Sequence, residues 1–460
     1  MGRDEKMARR ARGGWVRGLC VWLVLAALAA APPAKATAKL PPVTVTANTA
    51  LLVDSDSGEI LFEKNIRERA YPASLTKIMT ALLALERGKL DDLLTASATA
   101  FADMVPGGST QNIQEGEVMT LENYLYCALI SSANEACNVI AEYISGSVEA
   151  FVALMNERAA QLGCENTQFV NTHGLPDENH YTTAWDIYLV TREAMKYPEF
   201  MIICNTAAKS IPPTNKWEKE RALYTTNHLI SNNTERQYLY YPAKGIKTGH
   251  TNAAGYCLVS SAEKNGLYFI SVVMGAREEE ETKRILSFVE TAELFEWGFA
   301  NFSVKPLLKT TEQIREVVVE KGKGKDSVML VPQKSLEALV PNDLEASDVD
   351  RKITPNFEGA VTAPVARGQV LGTISLRYGD REFGTVALVA SSDVERDEAQ
   401  QVAEDFRDFF DRDWVKYTIA GVAALLILYV VFVIVYNARR RRARMRGNYR
   451  GNRRRQHRRR

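Results

Sequence analysis

The chain has 460 residues, 46 % hydrophobic and 25 % charged, enough apolar sequence for two or more domains with a large core. Its formal net charge of +1 conceals a segregation: residues 439–460 hold thirteen arginines and no acid, residues 1–36 hold seven basic and two acidic residues, and between them acids outnumber bases by 17. So acidic a middle excludes nucleic acid as the main partner of that part.

The chain opens with Arg9, Arg10, Arg12 and Arg17, an apolar run over residues 19–31, and the small-residue stretch Ala34-Lys35-Ala36. That layout predicts a secretory signal peptide, with an uncut anchor as the alternative. Residues 50–54 and 59–63, separated by Ser55-Asp56-Ser57-Gly58, predict a β-hairpin. Residues 74–88 come next, with Leu75, Ile78, Met79, Leu82, Leu83 and Leu85 at helical spacing. Pro72 stands where a helix is entered and Gly88 where one stops. Ser74 and Lys77, three apart, share the packed face of this helix. Burial and the positive end of the helix dipole both disfavour a charged lysine there. Lys77 is thus a candidate base beside a candidate nucleophile, Ser74. A lone Ser-x-x-Lys also arises by chance in core helices, so its weight rests on what lies downstream.

Residues 121–130 predict a second buried helix that runs into Ser131-Ser132-Ala133-Asn134-Glu135-Ala136, and a further helix leads to Gly146. Polar Ser132 and Asn134 between apolar helices are costly unless used, as a helix cap or as site residues. Residues 161–185 are loop-like and include Asn171-Thr172-His173-Gly174; Thr183 and Asp186 then form a capping box. His173 and His180 lack a third ligand at metal spacing and are read as polar loop residues, so neither metal nor cofactor is expected. Lys244-Gly245-Ile246-Lys247-Thr248-Gly249-His250-Thr251 precedes two alternating strands, 256–262 and 267–274, which predicts an antiparallel sheet. Lys247 offers a fixed positive charge and Thr248 a hydroxyl to a carboxylate, and Gly249 permits close approach of a substrate backbone. The plain alternative is a lysine-flanked edge strand.

An amphipathic helix over residues 281–302 is expected to cover one sheet face. Segments 316–319, 327–331, 369–376 and 385–389 then predict a small β-sandwich without a catalytic constellation. Residues 391–415 are charged and helix-prone. Residues 418–436 carry no charge, are long enough to span a bilayer, and have Trp414, Tyr417 and Tyr436 at their edges. The arginine run after them is expected to stay cytoplasmic, leaving the rest outside. Cys127, Cys137, Cys164, Cys204 and Cys257 form no C-x-x-C pair and read as small apolar residues or occasional pairs.

Ser-x-x-Lys, Ser-x-Asn and Lys-Thr-Gly in that order are the signature of active-site serine β-lactamases and penicillin-binding proteins. The stretches Pro72-Ala73-Ser74-Leu75-Thr76-Lys77-Ile78-Met79-Thr80, Ser132-Ala133-Asn134-Glu135-Ala136 and Gly245-Ile246-Lys247-Thr248-Gly249-His250-Thr251 closely resemble the low-molecular-mass D-alanyl-D-alanine carboxypeptidases, serine peptidases that trim peptidoglycan stem peptides. The resemblance covers about residues 47–302 and more loosely the region after them, where Pro364-Val365-Ala366-Arg367-Gly368-Gln369 is recognisable. It implies an α/β (α+β) penicillin-binding/serine β-lactamase-like transpeptidase fold with an antiparallel sheet, a small C-terminal β-sandwich and a C-terminal transmembrane helix.

The same resemblance implies roles. Ser74 would attack the carbonyl between the terminal D-alanines, Lys77 would take its proton, Ser132 would pass a proton to the leaving amine, and Lys247 would help hold that network. Asn134 would bind the acyl side, Lys247 and Thr248 the terminal carboxylate, and the amides of Ser74 and His250 the oxyanion. Ala133 and Glu135 stand where Gly and Asp are frequent in the family. Stem peptides ending in D-Ala-D-Ala, β-lactams as covalent inhibitors and the membrane are the implied partners. No E-x-x-L-N segment lies between Asn134 and Lys247, which argues against a β-lactamase. A D,D-endopeptidase would use the same residues, and a silent scaffold would usually have lost one of them.

The expected organisation is a signal peptide (1–36), a catalytic domain (37–302), a β-rich domain (303–392), a helical stalk (393–417), a transmembrane helix (418–436) and an Arg-rich cytoplasmic tail (437–460). This places the protein in the bacterial cell membrane, single-pass, with its catalytic domain on the extracytoplasmic face.

Overall fold

A computed structural model describes residues 40–231 and 235–456, with side chains to residue 442. The expected signal peptide and the last four residues of the arginine tail lie outside the described residues. The chain divides into two compact units. One is formed by the residues up to Val304 with Leu339–Leu344, the other by Lys305–Ala338 and the residues from Glu345 onward.

The first unit is built on five strands, β1 (Thr49–Asp54), β2 (Ile60–Lys64), β3 (Lys247–Thr251), β4 (Gly255–Lys264) and β5 (Leu267–Ala276). Their order is β2-β1-β5-β4-β3 and every pair is antiparallel. β1 pairs with β5 from Thr49↔Met274 to Asp54↔Phe269, so the two ends of the catalytic sequence close one sheet. Alternate residues of β1 enter different cores. Leu51 and Val53 pack with Leu75, Ile78 and Met79, whereas Ala50 and Leu52 pack in clusters that hold Leu294 and Phe295. Burial on both faces is why β1 reads as a continuous apolar run and not as an alternating one.

Helices α1 (Lys77–Arg87), α2 (Leu121–Leu129), α3 (Asn134–Ser145), α4 (Val148–Gln161), α5 (Ala184–Ala194) and α6 (Pro198–Cys204) fill the first face, and α7 (Leu286–Asn301) covers the second. Three boundaries differ from the sequence reading. The segment expected to be one helix over 74–88 is a 3₁₀ turn, Ala73–Thr76, leading into α1, because Ala73 is left-handed (φ +47). α7 starts at Leu286, not at 281, because left-handed Lys283 (φ +59) and the Glu278↔Ile285 bridge turn the chain first. The capping box at α5 is half made. Thr183 accepts from the Asp186 amide, but the Asp186 carboxylate accepts from the Asn166 amide and the Thr167 hydroxyl instead.

The second unit carries β6 (Arg315–Glu320), β7 (Ser327–Pro332), β8 (Asp350–Pro355), β9 (Val361–Thr362), β10 (Val370–Tyr378) and β11 (Arg381–Ala390), in the order β8-β10-β11-β7-β6-β9. Its pairs are antiparallel except β6–β9, and Val328, Leu330, Ile374, Leu376, Val386 and Leu388 supply its buried side. Helix α8 (Glu398–Asp411) is capped by the Asp397 carboxylate, and the chain is extended at Arg412 before α9 (Asp413–Gln456). Within α9, Asp413–Arg442 is long and apolar enough to cross a membrane.

The entry of the chain into the sheet hangs on one buried carboxylate. Glu290 of α7 accepts from the Thr46 amide and hydroxyl and from the Ala47 amide. Glu290→Ala strands these donors and is expected to lower stability by about 2 kcal/mol. A urea unfolding midpoint measures this, with Glu290→Gln losing less.

Candidate active site

The 3₁₀ turn that carries Ser74 is held on three sides. Thr76 donates from its hydroxyl to the Ala73 carbonyl (2.9 Å) and lies 2.9 Å from His180 Nε2. The Val170 amide donates to His180 Nδ1, which places the His180 proton on Nε2, facing Thr76. Gly174, with φ +94, presses against the same turn: a Cβ there would lie 1.8 Å from the Ala73 carbonyl oxygen. Strand β3 supplies the third side. A Cβ on Gly249 would meet Ser74 N at 3.0 Å and Pro72 O at 3.1 Å. The missing side chain at Gly249 therefore admits the turn that carries Ser74.

Lys77, the first residue of α1, is fully buried, and its Nζ has three oxygens in reach: Ser74 Oγ at 2.9 Å, Asn134 Oδ1 at 2.7 Å and the His173 carbonyl at 2.8 Å. Among the described residues it makes no ion pair. Burial lowers its pKa from 10.5 to about 8, against the opposing pull of Cys137 and Glu135. A neutral amine has two N–H bonds and one lone pair. With Asn134 and His173 taking the two hydrogens, the lone pair is left facing Ser74, which can then donate to it.

Ser132 is buried at the junction of α2 and α3 with φ +63, a left-handed serine two residues before Asn134. The junction has no side-chain cap, so capping does not account for the polar pair. Lys247 is buried beneath β3 and donates to the Thr248 carbonyl. Burial, and then the nearby Lys77 charge, lower its pKa to about 7, so it is not the fixed cation the sequence reading supposed. Thr248 shares a hydrogen bond with the Thr226 hydroxyl, and exposed His250 stacks on Tyr256 with ring centroids 4.1 Å apart. The structure thus gathers Ser74, Lys77 and Asn134 by direct hydrogen bonds and Gly249 by packing. It sets Thr248 and Lys247 on the strand beside them. No bond joins Ser132 to either lysine.

The family description "D-alanyl-D-alanine carboxypeptidase" matches residues 34–278, and "Penicillin-binding protein 5, C-terminal domain" matches residues 302–396. The chain belongs to the low-molecular-mass penicillin-binding proteins of the serine D-alanyl-D-alanine carboxypeptidase family. It is a serine-type peptidase. It is 33 % identical to D-alanyl-D-alanine carboxypeptidase DacF of Bacillus subtilis (strain 168) over 380 residues, 81 % of this chain and 90 % of that protein. A shorter match, 32 % over 51 % of this chain and 73 % of the other, is to the D-alanyl-D-alanine endopeptidase of Pseudomonas aeruginosa. Penicillin-binding protein 5 from Haemophilus influenzae superposes with a TM-score of 0.57 at 30 % identity, over 78 % of this chain and all of that one.

Sequence reasoning took His173 and His180 only as polar loop residues. What it missed is that the His173 carbonyl is a partner of Lys77 and that Gly174 and His180 clamp the Ser74 turn. The signal available was the run Asn171-Thr172-His173-Gly174 itself, a polar loop ending in glycine. The enzyme's five described cysteines are all unpaired, and Cys164 alone of them is partly exposed.

Gly174→Ala forces the loop off the Ser74 turn. Labelling by a fluorescent penicillin is expected to slow about a hundredfold. Gly163→Ala is the control, because Gly163 is also left-handed but a Cβ there meets nothing within 4 Å. It should label at the unaltered rate.

Proposed function

We propose that this enzyme is a membrane-anchored, penicillin-sensitive D,D-carboxypeptidase that removes the terminal D-alanine of peptidoglycan stem pentapeptides through a Ser74 acyl-enzyme, limiting cross-linking of the wall. The observation that carries the reading is the wholly buried Lys77 amine, 2.9 Å from Ser74 Oγ, with its other hydrogen-bonding positions taken by neutral acceptors. Lys77 takes the Ser74 proton as Oγ attacks the carbonyl between the two D-alanines. The oxyanion is received by the amides of Ser74 and His250. Ser132 relays a proton to the departing amine, Asn134 holds the acyl side, and water releases the shortened peptide. Thr248 and Lys247 meet the terminal carboxylate. Penicillins, which present a similar acyl group, acylate the same serine.

Anchoring is supported by the long apolar helix Asp413–Arg442 and by the arginines that follow it, which favour a cytoplasmic tail and an outward-facing catalytic domain. The β-rich unit then acts as a spacer between bilayer and site.

The full chain in detergent, given a diacyl-Lys-D-Ala-D-Ala peptide, is expected to release free D-alanine, and Ser74→Ala to release none. Covalent penicillin labelling without D-alanine release would shift the reading to cross-link cleavage, the activity named for the Pseudomonas relative. Because the base must be neutral, kcat/KM is expected to fall about tenfold per pH unit below about 8 and to level off above it. A pH–rate profile measures this, and a flat profile between pH 6 and 8 would remove Lys77 from the role of base.

A further inference from the structure

His173 faces two ways. Its carbonyl accepts from Lys77, and its ring, only 1 % exposed, meets Asp103 on the loop after the 3₁₀ turn Thr99–Phe101. The Leu175 amide donates to His173 Nδ1, so the ring proton sits on Nε2 and is donated to Asp103 Oδ2 at 2.9 Å. The second Asp103 oxygen accepts from Asn138 Nδ2 at 2.7 Å. Asn138 Oδ1 in turn accepts the Thr172 hydroxyl, and the Thr172 carbonyl accepts the Thr80 hydroxyl, one turn along α1 from Lys77. Residues 172–173 are therefore gripped from α1, from α3 and from the 103 loop, with the His173 carbonyl left aimed at Nζ.

We propose that Asp103 is a positioning residue for the reaction: by holding the His173 ring, it fixes the carbonyl that takes one Lys77 hydrogen and so keeps the lysine lone pair on Ser74. The inference rests on the serine–lysine reading above. Three features carry it. Asp103 makes no hydrogen bond to Ser74 or Lys77 among the described residues, so its effect passes through its partners His173 and Asn138, which both hold residues 172–173. Its side chain is 43 % exposed, so it is not a core residue whose loss empties a cavity. The network it closes is otherwise built from neutral groups, and a charge-assisted bond is the strongest single link in such a chain. Burial pushes the Asp103 carboxyl up, but the hydrogen bonds from His173 and from the Asn138 amide outweigh it, leaving the group below the usual carboxylate range. Burial also keeps the His173 ring below its ordinary value, consistent with a neutral donor.

The test compares the full-length enzyme with Asp103→Ala and Asp103→Asn, reading penicillin acylation rate, kcat and KM for D-alanine release, and the thermal midpoint. Asp103→Ala is expected to slow acylation and kcat about tenfold with KM changed less than about twofold. Asp103→Asn, which keeps an oxygen for His173 Nε2–H but loses the charge and sets its amide against Asn138 Nδ2, should recover only part of the rate, and neither should shift the midpoint appreciably. An Asp103→Ala enzyme with unaltered acylation, or one that loses only KM, or an Asp103→Asn enzyme no better than alanine, would overturn the proposal. A wild-type chain that neither labels nor releases D-alanine would instead fail the functional reading on which it rests.

Discussion

A lysine amine that is buried and makes no ion pair among the described residues is the constraint from which the first unit follows. Lys77 is buried away from bulk solvent, so its nitrogen needs oxygens at hydrogen-bond distance, and two of them come from elements far apart in sequence. Asn134 at the start of α3 and the carbonyl of His173 in a loop meet that need. Bringing a loop carbonyl and a strand so close to the start of α1 leaves no space for side chains at Gly174 and Gly249. The low proton affinity of the lysine and the glycines around it are therefore consequences of one burial.

The same closeness accounts for the backbone strain. Ala73 and Ser132 are left-handed residues other than glycine, one next to Ser74 and the other two residues before Asn134. Such conformations cost about 1–3 kcal/mol each and persist only where the surroundings over-determine them. The offset is near at hand: Leu75, Ile78, Met79, Leu82 and Leu83 are all fully buried, each contributing about 1.5–3 kcal/mol as an upper estimate. The His180–Thr76–Ala73 chain of hydrogen bonds then holds the turn without adding charge. Burial keeps His180 neutral, with its pKa lowered to about 4.

The two-sided sheet gives this arrangement its rigidity. β1 and β5 bring the segment before the nucleophile and the segment after the Lys-Thr-Gly strand into one ladder. α7 seals the far face, and its Glu290 fixes where the chain enters. Residues 74, 134 and 249 stand on or beside buried elements, and the loop at 173 is tied to them by the hydrogen bond from Lys77.

Much of this was legible in one dimension. Apolar spacing marks α1, α2 and the β4–β5 hairpin, the three short motifs name Ser74, Lys77, Ser132, Asn134, Lys247, Thr248 and Gly249, and local turn chemistry marks where they break. These are properties of neighbouring residues, and periodicity records them directly. What sequence could not hold were the contacts made across it. The His173 carbonyl is a backbone group and has no residue signature. The left-handed Ala73 and Ser132 violate local preference and are imposed by their neighbours. The purpose of Gly249 and the near-neutral pKa of Lys247 depend on what packs against them from far along the chain. Sequence by itself determined the candidate residues and most of the elements that bear them. Only the tertiary structure decided how the lysine is desolvated and where its lone pair points, because burial and hydrogen-bond direction arise from packing and not from order along the chain.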